Sequence, residues 1–141
     1  MRITVTTLAM IVCLSIPGCS SFRTSGSEAP SISGKWRIEQ TNAGGPEFTG
    51  TLILDQHGSG FSGSVTWDNH GKARVVNGTV SRGSSTGQGS IISFVIEYDG
   101  GLKGKYYATL DATGKMLVDG ATIAIQGSSD MGVWNARLIE E

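Results

Sequence analysis

The sequence predicts an all-β domain, an eight-stranded antiparallel up-and-down barrel that follows a cleaved signal peptide and a short tether. First, short segments from Ile32 onward alternate apolar and polar residues, as half-buried strands do. Second, clusters of Gly, Asn, Asp and Ser separate these segments, which is typical of turns. Third, no window beyond Ile32 repeats apolar residues with the spacing of a helix.

The first element is a secretory signal peptide over residues 1–18. Arg2 precedes an uncharged run over residues 3–16, which is shorter than the ~20 apolar residues that a spanning helix needs. The run leads into Ile16-Pro17-Gly18-Cys19, which resembles the lipobox of bacterial lipoproteins: an aliphatic residue, then a small residue directly before the cysteine. This resemblance implies cleavage before Cys19 and attachment of lipid to it. The alternative is an ordinary secreted protein with one free thiol.

The lipobox resemblance also implies a location. In bacterial lipoproteins a serine after the lipidated cysteine usually accompanies export to the outer membrane, and Ser20 occupies that position. Because two or more acyl chains hold a protein on a membrane durably, a multiply acylated Cys19 is a sufficient anchor. Cys13 leaves with the signal peptide, so the mature body has no cysteine for an internal disulfide. We expect a lipid-anchored protein of the bacterial envelope without a transmembrane helix.

The second element is a lipidated tether over residues 19–31. After the cysteine its sequence, SSFRTSGSEAPS, is polar and rich in serine, so it buries too little apolar area to fold by itself. The β-barrel domain is predicted to span residues 32–141. A chain of 141 residues has room for one such domain and not for two.

Eight strands are predicted within the domain. Four of the gaps between them place an aspartate before a glycine, so that the position with positive φ falls on the residue that tolerates it. These gaps, at 55–58, 68–71, 98–101 and 111–114, are expected to be tight hairpins. The longer gaps at 42–46 and 81–90 are expected to be mobile loops. The predicted strands cover 32–40, 48–56, 60–67, 73–81, 90–98, 102–110, 115–125 and 131–139.

A repeat of the form apolar-x-Gly-x-apolar runs through these strands. Since side chains alternate between the two faces of a strand, each glycine shares the inward face with its apolar neighbours. Such a glycine lets the sheet bend sharply or lets a large ring pack against the backbone, as closing a small barrel requires. We therefore expect the first strand to pair with the last; the alternative is surface glycines in flexible strands. The repeat is centred on Gly34, Gly50, Gly63, Gly78 and Gly104, with a near match at Gly120.

The start of the first predicted strand, Gly34-Lys35-Trp36, is similar to the Gly-x-Trp that opens lipocalins and avidins, the calycin group of ligand-binding barrels. The resemblance implies a barrel whose interior binds a small molecule. It also implies that Trp36 closes the floor of the barrel and that a basic residue of the last strand packs across it, with Arg137 as the candidate. The Thr-Asp-Tyr motif of lipocalins and the polar residues with which avidins hold biotin have no counterpart in the sequence.

Charge and motif content argue against nucleic-acid binding and against catalysis. The 11 Lys and Arg residues balance 12 Asp and Glu residues, for a formal net charge of −1, so no basic field exists to hold a polyanion. The sequence has no Gly-x-Ser-x-Gly elbow, and the mature chain has no cysteine–histidine pair. His57 and His70 lie in predicted turns, where solvated side chains are expected rather than a metal site. We expect no enzyme, no cofactor and no bound metal.

Aromatic residues on the predicted strands are the candidate ligand-binding residues. They either line a cavity that stacks a small apolar molecule or fill the interior completely. We expect a non-enzymatic lipoprotein whose barrel binds a small apolar ligand. The alternatives are an inhibitor or adaptor of an envelope enzyme that docks through a rim or the 81–90 loop, and a purely structural lipoprotein. The candidate lining residues are Trp36, Trp67, Phe94, Tyr106 and Trp134.

Overall fold

The computed structural model describes residues 29–83, 89–127 and 131–140 of the chain. The predicted signal peptide, Cys19, most of the tether and part of the 81–90 loop lie outside the described residues. Eight antiparallel strands follow one another around a closed barrel, which confirms the predicted fold class. The strands are β1 (Gly34–Asn42), β2 (Glu47–His57), β3 (Gly60–Trp67), β4 (Gly71–Ser81), β5 (Ser90–Glu97), β6 (Lys103–Leu110), β7 (Met116–Gln126) and β8 (Gly132–Glu140).

β1 closes the barrel by pairing with β8 as well as with β2. Ile38 on β1 lies opposite Gly50 on β2 and opposite Ala136 on β8. Every other pairing joins strands that are adjacent in sequence. The predicted pairing of the first strand with the last is confirmed, and each strand that the structure describes has a partner on both sides. Within the described ranges, no helix is long and apolar enough to span a membrane.

The tight turns form where the sequence predicts them. Gly58, Gly71 and Gly114 close the β2–β3, β3–β4 and β6–β7 turns with φ of +65°, +82° and +72°. The β5–β6 turn contains two such residues, Gly100 and Gly101, with φ of +93° and +88°. Residues with a side chain are strained in this region of backbone space, so glycine fixes the turn positions and with them the strand register.

One hydrophobic core fills most of the barrel, and a layer of four aromatic rings crosses its centre. Phe94 stacks on Tyr106 with ring centroids 5.2 Å apart. It also makes edge contacts with Phe61 at 5.7 Å and with Trp134 at 5.6 Å. The core residues that the structure describes begin at Ala29, so a chain that lacks the residues before it retains them all.

Four of the six glycines of the repeat receive an aromatic ring, as the repeat predicts, whereas a Cβ added at Gly63 would meet the backbone of Ile53 on β2. A Cβ added at Gly120 would lie 2.6 Å from the Trp134 ring, and one added at Gly104 would lie 3.1 Å from the Tyr106 ring. The absent side chain therefore leaves a flat piece of backbone on which a ring on the same or a neighbouring strand packs. The same relation joins Gly50 to Trp67 and Gly78 to Phe61.

Register shifts interrupt the strand pairing at several places, and two of them are bulges that contain a residue with positive φ. The register shifts between Val76 and Thr79 on β4 and between Leu117 and Gly120 on β7. Asn77 and Asp119, inside these shifts, have φ of +53° and +54°. Each of these residues directly precedes a glycine against which an aromatic ring packs, Gly78 or Gly120. The bulge adds one residue to the strand and keeps that glycine on the inward face.

The two ends of the barrel differ. We call the end with the start of β1 and the end of β8 the floor end, and the opposite end, with the β1–β2, β3–β4 and β5–β6 turns, the mouth end. At the floor end Ile32 is fully buried, and its N–H donates to Gln56 Oε1 at 2.7 Å. Trp36 Nε1 donates to the Ile32 carbonyl at 3.0 Å. Residues 29–33 therefore close the floor end.

Arg137 does not cover Trp36, which corrects the role that the lipocalin resemblance implies for it. Arg137 is exposed, alternates with the inward-facing Ala136 and Leu138, and pairs in register with Arg37 on the outer face. Because it is out of phase with the inward residues of β8, its side chain leaves the barrel interior. Ile32, which precedes the strand, occupies the floor instead.

Candidate functional site

A cavity of about 300 Å³ opens at the mouth end, above the layer of aromatic rings. One part of its wall is aromatic and apolar, and the other part is polar. The aromatic and apolar part consists of Phe48, Trp67, His70 and Leu102, with the small residues Gly104 and Ala124 beside it. The polar part consists of Gln40, Asn42, Tyr98, Tyr106 and Thr122, with Lys103 also in the lining.

The strands supply this lining from their mouth ends. Gln40 and Asn42 lie at the end of β1, Trp67 is the last residue of β3, and Thr122 and Ala124 lie late in β7. Because antiparallel neighbours alternate in direction, the ends of the odd-numbered strands and the starts of the even-numbered ones meet at the same rim. The inward phase of each strand then points these side chains into one space.

Hydrogen bonds order the polar part of the wall. The Tyr106 hydroxyl donates to Gln40 Oε1 at 2.9 Å, and Gln40 Nε2 donates to Asn42 Oδ1 at 2.7 Å. Trp67 Nε1 donates to the Tyr98 hydroxyl at 3.0 Å, which joins the aromatic part of the wall to the polar part. Gln40 is the most buried amide of the set, with 8% of its surface exposed. These bonds fix the side chains in place before any ligand arrives.

Thr122 differs from the other polar residues of the wall. Thr122 is 6% exposed, and its Oγ1, which is shielded from solvent, makes no hydrogen bond of ordinary geometry with the described residues, although it lies near enough to the Tyr106 hydroxyl to lower the pKa of that group. The hydroxyl lies beside that of Tyr106, whose own proton is donated to Gln40. A buried hydroxyl without a partner is uncommon in folded proteins, because nothing replaces the hydrogen bonds that it made to water.

The cavity is electrically neutral at its base. Burial raises the pKa of Tyr106 far above its usual range and also raises the pKa of Tyr98, so both phenols keep their protons at neutral pH. Lys103 is the only Lys, Arg, Asp or Glu among the lining residues that the structure describes. Its Nζ bonds Glu97 Oε1 at 2.8 Å, a contact that lowers the pKa of Glu97. Glu97 Oε2 also accepts a hydrogen bond from Arg74 Nη2 at 2.9 Å, so Lys103 and Arg74 share one carboxylate.

The sequence-predicted lining residues divide into two groups. Trp67 and Tyr106 line the cavity, with 5% and 2% of their surfaces exposed. Phe94 and Trp134 lie in the aromatic layer, and Trp36 lies at the floor end. The structure thus brings two of the five residues to the cavity, and it places the other three in the packed interior. Whether this cavity takes a ligand stays a prediction.

Several lining residues have no counterpart in the sequence prediction, chiefly Gln40, Phe48, Tyr98 and Thr122. The alternating pattern could have identified Gln40 and Thr122 as lining residues. Each is a polar residue at an inward-facing position of its strand, and both lie near the same end of the barrel. Phe48 and Tyr98 lie just where strands begin or end, so their orientation depends on the adjoining turns. Such terminal residues are the hardest to place from an alternating pattern.

The two histidines lie in different surroundings. His57 ends β2 at the surface, with Nε2 at 3.2 Å from Asp55 Oδ2. His70 is an exposed residue of the β3–β4 turn, as predicted, but its ring meets the edge of Phe48 at 4.8 Å and forms part of the cavity rim. Within the described ranges, no group of three His, Cys, Asp or Glu side chains is arranged to hold a metal ion.

The arrangement is suited to binding. A ligand would exchange water for aromatic surface on one side and meet ordered polar groups on the other. Comparison with known proteins adds no family: no protein-family model matches the chain, and no curated protein does.

Proposed function

We propose that this chain is a non-enzymatic lipoprotein of a bacterial envelope whose barrel binds a small, largely apolar ligand in the mouth-end cavity. The observation behind the proposal is the cavity itself, about 300 Å³ with a wall that is aromatic on one side and ordered and polar on the other. A barrel with a purely structural role gains nothing from such a space, because filling it with side chains would stabilise the fold.

The volume limits the size of the ligand. About 300 Å³ is the liquid volume of roughly ten water molecules and lies at the lower end of ligand pockets. A molecule of one or two rings fits this space, whereas an extended acyl chain does not, because the aromatic layer blocks the barrel below it. Phe48 and Trp67 meet edge to face with ring centroids 6.4 Å apart, and both contribute apolar surface to the cavity wall.

The architecture supports a calycin-like assignment. An eight-stranded barrel closed by its first and last strands, with a tryptophan sealing one end and a cavity at the other, is what the Gly-x-Trp resemblance implies. The floor differs in detail from the lipocalin pattern, since Ile32 rather than a basic residue covers Trp36. The proposal therefore concerns the general binding mode of that group and not its particular ligands.

The position of the anchor supports a ligand taken from solution. Residue 29 lies at the floor end, where Ala29 packs against the core, and the lipobox cysteine Cys19 precedes it by ten positions. A membrane holding Cys19 would lie on the floor side, with the cavity opening on the far side of the barrel. Ser20 and the lipobox support an outer-membrane location on the same resemblance.

A matched pair of substitutions on β7 tests the binding proposal. Ala124 lines the cavity, whereas Ala121 is exposed on the outer face of the same strand. In a soluble form that begins at Ser20, we expect 2-naphthol to quench tryptophan emission saturably, because Trp67 forms part of the wall. Ala124→Phe fills the space and should abolish the quenching, and Ala121→Phe should preserve it. Unchanged binding in Ala124→Phe, or no binding in the wild type, would contradict the proposal.

A second function, docking on an envelope protein, is favoured by one observation on the outer face. Four apolar residues at the mouth end of β7 and β8 are at least half exposed, an unusual concentration for a free surface. The variants above separate the two functions in cells: a ligand-binding role is lost in Ala124→Phe, and a docking role is lost in Ala121→Phe, because Ala121 pairs with Val133 inside this patch. The patch consists of Ile123, Ile125, Met131 and Val133.

A further inference from the structure

The apolar patch on the outer face of β7 and β8 is open to solvent in a single copy of the chain. Ile123, Ile125, Met131 and Val133 have 50%, 54%, 62% and 65% of their surfaces exposed. Ala121, which pairs with Val133 in the strand register, is small and leaves room for a partner to approach. Apolar area of this kind costs free energy in water, and a partner that covers the patch recovers that free energy.

Charges of opposite sign lie on the two sides of this patch. On the β6 side, Lys105 lies opposite Ile123 in the strand register. On the β1–β2 side, Val133 lies opposite Thr41, and Thr41 lies opposite Glu47. Among the residues that the structure describes, neither Lys105 nor Glu47 takes part in a salt bridge. The outer face therefore runs from a cation through apolar residues to an anion.

A surface with this order of charges is complementary to a second copy of itself. A two-fold axis that runs along the strands between β7 and β8 places the β6 side of one copy over the β1–β2 side of the other. Lys105 of each copy then approaches Glu47 of the other, at two equivalent contacts. Nearer the floor end, the same axis brings Arg137 on β8 of one copy toward Asp119 on β7 of the other. A partner of one charge sign would instead be repelled on one side of the patch.

We propose that the outer face of β7 and β8 is the interface of a symmetric homodimer, in which the two apolar patches pack together and Lys105 of each copy pairs with Glu47 of the other. This inference does not depend on ligand binding, because the cavity opens at the mouth end and the interface leaves it accessible. It gives the patch a partner other than the envelope protein of the docking function.

The symmetry also agrees with the proposed anchor. An axis along the strands leaves both floor ends on the same side of the dimer, so two copies anchored through Cys19 can occupy one membrane. The patch covers only the mouth-end part of two strands, which is less than the ~800 Å² per partner of a standard interface, so the dimer is weak in solution. Anchoring both copies in one membrane raises their effective concentration and favours the dimer.

Charge reversal tests the symmetry in the soluble form that begins at Ser20. By sedimentation equilibrium at up to about 1 mM protein, we expect wild-type chains to dimerise with a Kd on the order of 100 μM. Lys105→Glu and Glu47→Lys should each weaken the dimer by about tenfold or more, because every contact then joins like charges. An equimolar mixture of the two variants should form heterodimers with nearly wild-type affinity, because each contact again joins unlike charges. Lys72→Glu, at an exposed position on β4, is the control and should dimerise like the wild type.

Cross-linking locates the contact without changing these charges. The form that begins at Ser20 contains no cysteine of its own, so Ala121→Cys adds a single thiol within the patch. Ser62→Cys adds one at an exposed position on β3, on the opposite side of the barrel. A short bismaleimide should join two copies of Ala121→Cys, because the same residue of both copies lies near the two-fold axis. It should leave Ser62→Cys monomeric.

Several results would overturn the homodimer. Wild-type protein that stays monomeric up to about 1 mM would do so, and binding of a different envelope protein by that monomer would assign the patch to the docking function. A dimer that Lys105→Glu leaves unchanged, or equal cross-linking at positions 121 and 62, would place the contact elsewhere. Recovery of the dimer in the mixture excludes misfolding of the single variants, and failure to recover contradicts the two-fold arrangement. Loss of 2-naphthol binding would bear on the cavity alone.

Discussion

At the scale of single residues, glycine and aromatic side chains act as matched pairs in this barrel. Trp134 can lie flat against β7 only because Gly120 has no Cβ, and its Nε1 then donates to the Ala121 carbonyl at 3.2 Å. Because the ring belongs to the central aromatic layer, the glycine controls packing well beyond its own strand. A residue without a side chain thus determines where the largest side chains lie.

The glycine at position 120 is therefore expected to tolerate no side chain. Gly120→Ala should lower the free energy of unfolding by about 1–3 kcal/mol, because the new methyl group would displace the Trp134 ring and overlap backbone. Urea denaturation followed by tryptophan emission measures the change. Gly45→Ala is the control: its added Cβ finds nothing nearer than 3.8 Å, and a change within about 0.5 kcal/mol is expected. Equal effects at the two positions would show that the ring contact is unimportant.

At the scale of strands and turns, the alternation of apolar and polar residues together with the turn residues is sufficient to predict the barrel. Where the observed strands differ from the predicted ones, the difference has a local cause. The first strand was predicted at 32–40 and observed as Gly34–Asn42, because Ile32 is an inward apolar residue that seals the floor rather than pairing in the sheet. The bulges at Asn77 and Asp119 were not predicted. Asn-Gly and Asp-Gly are typical of hairpin turns, and only the cross-strand register shows that these two lie within strands.

The cavity could be predicted less completely than the strands. The alternating pattern gives the face of each residue but not its height along the barrel axis, and height separates Tyr106 at the cavity from Trp36 at the floor. Whether space remains between inward side chains depends on contacts among strands distant in sequence, such as Tyr106 with Gln40. Such contacts follow from closure and register, which the sequence specifies only indirectly.

One turn at the mouth end is tied to two strands by a charged contact. Asp68 in the β3–β4 turn receives hydrogen bonds from Arg37 Nη1 at 3.1 Å and from Thr49 Oγ1 at 2.7 Å. The Arg37 bond, supported by that of Thr49, lowers the pKa of Asp68 below its ordinary value of 3.8. The turn that carries His70 is thereby connected to β1 and β2.

This contact should make stability depend on pH in a definite direction. Because the pKa of Asp68 is lower in the folded chain than in the unfolded chain, its contribution is fully present above the unfolded value and is lost as the pH falls through the folded value. Asp68→Asn should lower the urea midpoint at neutral pH, and the gap to wild type should narrow at about pH 3 and below. Asp99→Asn, at an exposed turn position, is the control. A gap of constant size across this range would refute the assignment.

At the scale of the whole molecule, closure gives the barrel two ends with separate tasks. Each strand spans 8 to 11 residues, which at about 3.3 Å per residue and a tilt of roughly 40° gives a height of about 20–28 Å. The chain enters at one end and the cavity opens at the other. The aromatic layer between them lets the mouth stay partly empty while the rest of the interior is packed.

The difference between the two ends of the barrel predicts how the protein is oriented on a membrane if it is anchored through Cys19 as proposed. In the proposed lipoprotein, cleavage before Cys19 leaves no other cysteine, so a single dye can be attached through Ala112→Cys in the floor-end β6–β7 turn or Asp99→Cys in the mouth-end β5–β6 turn. With lipidated protein in vesicles that contain an acceptor lipid, the dye at 112 should be quenched more strongly.

A form without the lipid anchor should show no quenching at either position, which is the control for collisions with the vesicle. Equal quenching of the two dyes in the anchored protein would mean that the domain has no fixed orientation, and stronger quenching at 99 would place the mouth against the bilayer. The second result would make membrane lipid the nearest source of ligand, and it would contradict the proposal that the cavity takes its ligand from solution. The anchor, the floor segment and the cavity are thus tested together by one distance comparison.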